Sequence, residues 1–146
     1  MQQATHDVSV IAYGTATDLI EKATSHASKN GWNVAVVVVD PWGATVASAR
    51  MDGVSPTILE IAGDKAFTAA MGRSTLAFYE RMSSSPELAM GLQNRKRFCA
   101  WEGAVPIRSN GKLVGAIGVS GATGPEDVSC AEFALAEMGL ASEATE

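Results

Sequence analysis

Three observations predict an α/β fold with a central antiparallel sheet. Two apolar hairpins carry turn residues at their tips, helical periodicity precedes, separates and follows them, and the strand connections are too short for a crossover. The predicted order is helix, hairpin, helix, irregular helical link, hairpin, helix, so helices are available to cover the sheet.

The first helix is read over Asp7–Asn30, where Val8, Ile11, Ala12, Ala16, Leu19, Ala23 and Ala27 recur at steps of three and four. Gly31 supplies its left-handed stop. VAVVVVD, from Val34 to Asp40, is β-branched and apolar on both faces, as a central strand covered on both sides must be. Asp40-Pro41-Trp42-Gly43 then turns the chain, and TVASARM returns as the paired strand. The second helix has Ser55 as N-cap, Pro56 at its first position and Gly72 at its close. RSTLAFYERMSSSPELAMGLQNRKRF reads as a short helix, a serine-rich break and a further helical turn. AVPIRSNGKLVGAIGVSG forms the second hairpin around Ser109-Asn110-Gly111. The last helix opens with the capping-box spacing Thr123 to Glu126, runs through Val128, Ala131, Leu135 and Met138, and ends at Gly139.

A chain of 146 residues suits one domain with a substantial core. Its 18% of charged residues falls below the roughly 25% usual for soluble domains, which predicts that another subunit covers part of the surface. The net charge of −5 argues against nucleic acid as a partner. The start MQQATHDVSV lacks a basic then apolar leader pattern, so the two cysteines, Cys99 and Cys130, are expected reduced and the protein cytoplasmic. No apolar run is long enough for a membrane helix.

Several residues can carry chemistry. Glycines 115, 118, 121 and 124 fall every third residue, but the dinucleotide fingerprint needs a parallel strand opening into a helix. They suit either the close approach of a ligand or tight sheet-to-helix packing. Lys65 lies on the inward stripe of the second helix with Ile58, Ile61, Ala62 and Ala69, where a lysine either snorkels or ends in a polar pocket as anchor, acid or base. Arg50, at a strand end, is placed for a carboxylate or for a salt bridge to Asp52 or Asp64.

Trp101 and Glu102 are adjacent, so on a regular strand they face opposite sides; a bulge at Gly103 brings them together. Glu102 is then a proton-transfer group, with Phe98 and Trp101 as an apolar wall. Arg95-Lys96-Arg97 reads as a solvated face or subunit contact. For haem, His26 is the axial candidate, with Met51, Tyr79 and Cys99 weaker. No zinc spacing or GxSxG elbow is present.

VVVVDPWGATVASARMDG, then GDKAFTAAMGRST, then AVPIRSNGKLVGAIGVSGATGPED together resemble the haem-degrading GlcG/HbpS-like family, which includes the PduO C-terminal-like domain. The resemblance covers roughly 130 residues, an ordered set of motifs that are individually weak. It implies a profilin-like three-layer α/β/α fold and oligomers built from dimers. It also carries Arg50, the pair Asp64 and Lys65, and the turn residues Gly118, Ser120 and Gly121 as family positions. Some members bind or slowly degrade haem. Where many members carry a glycine-rich run, this chain has Cys99-Ala100-Trp101-Glu102-Gly103.

That exchange moves the expected chemistry away from haem. The resulting expectation is a lyase or isomerase without a cofactor, acting on a small anionic, aromatic metabolite. Glu102 and Lys65 would be catalytic, with Arg50, Phe98, Trp101, Gly118, Ser120 and Gly121 binding substrate. The alternatives are a haem-binding or haem-degrading protein and a non-catalytic ligand sensor or accessory subunit.

Overall fold

A computed structural model describes residues 2–144. The elements are α1 (Tyr13–Lys29), β1 (Ala35–Val39), β2 (Thr45–Arg50), α2 (Pro56–Ala69), α3 (Thr75–Met82), α4 (Pro86–Leu92), β3 (Ala104–Ser109), β4 (Lys112–Ser120) and α5 (Gly124–Glu137). The sheet runs β2-β1-β4-β3 with every neighbouring pair antiparallel. The predicted fold class and order of elements are therefore observed.

The two faces of the sheet follow from strand alternation. Val36 and Val38 of β1, with Ile117 and Val119 of β4, face a core built with Leu19 and Ala23 of α1 and Ala131 and Leu135 of α5. Ala35, Val37 and Val39, with Ala116, face Ala62, Ala66 and Ala69 of α2. Small residues on this second side let α2 lie close on the sheet, while larger ones fill the space under α1 and α5. Three layers result, α1 and α5 against the sheet and α2 on its other side.

Local chemistry sets most boundaries. Ser55, Ser74 and Ser85 cap α2, α3 and α4 by accepting from Ile58 N, Ala77 N and Leu88 N. Thr123 and Glu126 close a reciprocal capping box on α5. Asn110 and Gly111, with φ of 51° and 79°, make the tight turn between β3 and β4.

One boundary departs from expectation. The first helix begins at Tyr13 rather than Asp7, because Ile11 is buried and donates its N–H to the Val114 carbonyl, holding the preceding segment extended beside β4. No helix of the described residues is long and apolar enough to cross a membrane.

Candidate functional site

Lys65 is the centre of the most constrained polar group. It lies inside α2 facing the sheet, and its side chain is 4% exposed. Nζ donates to Asp127 Oδ2 at 3.0 Å and to the Val119 carbonyl at 3.0 Å. The other Asp127 oxygen accepts from Ala122 N at 3.0 Å, fixing the turn between β4 and α5. Burial pushes the Asp127 carboxyl above the ordinary carboxylate range, against the opposing pull of the Lys65 ammonium and the Ala122 amide. Lys65 thus ends in a polar pocket rather than snorkelling, with its charge already matched.

Above this pair opens a cavity of about 530 Å³ between α2, α3 and the first turn of α5. Trp101, Glu102, Ser120 and Gly121 line it together with Lys65, and Ile58, Leu76 and Tyr79 supply apolar and aromatic wall. Trp101 and Glu102 share the cavity because neither is on a strand: β3 begins at Ala104, and the two residues occupy a bend ahead of it. Buried Thr75 holds that bend, its hydroxyl oxygen accepting from Gly103 N at 3.0 Å and Ala104 N at 3.1 Å. Thr68 of α2 accepts from Cys99 N at 2.9 Å and fixes the segment farther back. Glu102 folds against the N-terminus of α5, where only glycine leaves room: a Cβ at Gly124 would sit 2.9 Å from Glu102 Cβ.

A second cavity, about 610 Å³, lies between α3, α4 and Phe98. Its walls are mainly apolar, with Met71, Phe78, Met82 and Phe98; Arg73, Arg81 and Arg95 bring guanidiniums to it and Glu87 one carboxylate. Phe98 meets Phe78 edge to face at 5.5 Å between ring centroids, and Arg95 lies 5.5 Å from the Phe98 ring centre. The short helix α4 contributes no buried residue and touches no element but α3.

The remaining sequence candidates are dispersed. Arg50 donates from Nη1 to the Val54 carbonyl at 2.6 Å and closes the turn after β2. Gly118 is buried against α2, facing Ala62 and Ala66. His26 sits between α1 and α5, stacked on Phe133 at 4.5 Å with Nε2 2.9 Å from Ser129 Oγ. Arg97 pairs with Asp64 at 3.6 Å and covers the Phe67 ring at 4.1 Å. Burial raises the Cys99 thiol above its ordinary pKa and pushes Cys130 up to about 11, which keeps both protonated at neutral pH.

Sequence reasoning missed Asp127 and Thr75. Asp127 carried a usable signal, since it precedes Cys130, Ala131 and Ala134 by three, four and seven residues and so shares their inward stripe. Thr75 carried none, because its partners are backbone amides 28 and 29 residues away.

Comparison with known proteins places these features in a family. The family described as haem degrading protein HbpS-like matches residues 11–136. Protein GlcG of Escherichia coli (strain K12) is 35% identical over 111 residues, covering 76% of this chain and 81% of that protein. A crystal structure of HbpS superposes with a TM-score of 0.84 at 30% identity, over 93% of this chain and 95% of that one. The structure of a PduOC:haem complex shares the fold at 22% identity, with a TM-score of 0.83 over 92% and 99% of the two chains.

The expectation of a protein without a cofactor is corrected by this match, because the family is itself described by haem degradation and a structural neighbour is a haem complex. Trp101 and Glu102, which stand where many members carry a glycine-rich run, line one cavity, and the apolar cavity beside Phe98 is lined by other residues. With its sequence matched from residue 11 to residue 136 and its fold shared along nearly the whole chain, the protein belongs to the HbpS-like family.

Proposed function

We propose that this protein binds haem, and that the cavity between α3, α4 and Phe98 receives it. The observation that carries this reading is the composition of that cavity: apolar and aromatic walls around about 610 Å³, with Arg73, Arg81 and Arg95 outnumbering the single carboxylate of Glu87. A haem needs flat apolar surface for its macrocycle and cations for its two propionates. Phe78 and Phe98 provide the surface, and the arginines provide forked donors for carboxylates. The thioethers of Met71 and Met82 are soft donors to which an iron can bind. When bound, haem would supply the one-electron chemistry of its iron. Arg73, Arg81 and Arg95 would orient the propionates, and Phe98 would keep water from one side. Because α4 meets no helix or strand other than α3, it can yield to admit a planar ligand without disturbing the sheet.

Titration with hemin is expected to give a saturable Soret shift at about one haem per chain at micromolar concentration. The double variant Arg81→Glu, Arg95→Glu should weaken binding by about tenfold or more, since two charge-assisted contacts become repulsive. His26→Ala should leave it unchanged. Unsaturable binding, or equal affinity in the arginine variant, would overturn the assignment; loss in His26→Ala would move the iron to the α1 and α5 side.

The low share of charged residues and the open outer edge of β2 support an assembly of several copies. Light scattering at micromolar protein is expected to give a mass that is a multiple of 15.2 kDa, and a monomer mass would refute this.

A further inference from the structure

The cavity around Glu102 is separate from the proposed haem site, and its charge is unusual. Three side chains that carry formal charge line it: Lys65, Asp127 and Glu102. Lys65 and Asp127 neutralise one another at 3.0 Å, both nearly inaccessible. Glu102 is half-buried, and neither salt bridge among the described residues includes it. The first turn of α5 beside it offers about half a unit of positive charge, but Thr123 and Glu126 already serve as its caps. Half a unit does not cancel a full carboxylate charge, so the cavity keeps a net negative charge, beside Trp101 and Tyr79, which are 64% and 52% exposed. Aromatic faces are themselves attractive to cations.

We propose that this cavity is a binding site for a small organic ammonium compound, held by the Glu102 carboxylate and by the aromatic rings of Trp101 and Tyr79. A carboxylate ligand fits poorly, because it would meet Glu102 directly and could gain Lys65 only by breaking the buried pair with Asp127. A bare metal ion fits poorly too: no group of three His, Cys, Asp or Glu gathers among the described residues. An amine with an apolar body uses both kinds of wall, with Ile58, Ile61 and Leu76 accommodating the body.

A matched pair of probes tests the proposal, 2-phenylethylammonium and 3-phenylpropionate, similar in shape and opposite in charge. Titrated at neutral pH and followed by tryptophan fluorescence and calorimetry, the ammonium is expected to bind saturably and the carboxylate at least about tenfold more weakly. Glu102→Gln should reduce ammonium affinity by about tenfold while leaving the carboxylate no weaker. Trp101→Leu, at an exposed position that does not support the core, should also weaken the ammonium and remove the fluorescence response. No saturable ammonium binding, tighter carboxylate binding, or unchanged affinity in both variants would overturn it. Hemin binding by the two variants should match the unmodified protein, so failure of this site and of the haem site are separable.

Discussion

Replacing Asp127 with alanine is expected to destabilise the protein by about 3–5 kcal/mol, the cost of leaving a buried charge without its partner. Lys65 reaches Asp127 from the opposite side of the sheet edge with both side chains under 5% exposed, so water cannot take the carboxylate's place without opening the packing. The remaining Val119 carbonyl satisfies one ammonium proton and offsets none of the charge. The same substitution frees Ala122 N, which Asp127 also binds, and loosens the entry to α5. Urea denaturation should show a lower midpoint with little change in slope. The double replacement Lys65→Met, Asp127→Leu should recover most of the loss, because removing both charges together also removes their desolvation. A cost below about 1 kcal/mol would mean that water reaches the pair and screens it as at a surface.

Gly118→Ala is the second large effect, and its cause is steric. An added Cβ would fall onto the Ala62 carbonyl oxygen and come within 2.7 Å of Ala66 N and 3.0 Å of Ala66 Cβ. These are mainly backbone atoms of α2, which no rotamer change can move. Overpacking of this kind costs about 1–3 kcal/mol and occasionally more, and the upper end applies where a helix must lift from a sheet. Since α2 carries Lys65, the shift should also disturb the cavity around Glu102, seen as loss of its ligand response. Gly14→Ala is the control. Nothing lies within 4 Å of a Cβ there, and alanine in α1 should be neutral or stabilising by some tenths of a kcal/mol, up to about 1.

The framework was readable because its signals are local. Ser55 and Thr123 announce their helices through the spacing of cap and partner, and the run from Val34 to Val39 is apolar on both faces because helices cover both faces. The start of α1 was not readable: the apolar steps continue back to Val8, but the Val114 carbonyl claims the Ile11 amide and keeps that segment extended. Lys65 was visible as an inward cation on an apolar stripe, yet its partner lies 62 residues away, and a carboxylate at that separation is one of many.

The same division holds at the site. The sequence by itself determined the order of helices and hairpins, the helix caps, the hairpin turns and the presence of an inward lysine and an unusual Trp101-Glu102 pair, since repeats of 2 and about 3.6 residues write themselves along a short segment. Only the tertiary structure decided that Lys65 is neutralised by Asp127, that Trp101 and Glu102 share one cavity, and that Phe98 lines another with Arg81 and Arg95. Charge compensation and cavity shape depend on contacts between distant segments, and no local periodicity records which distant group arrives.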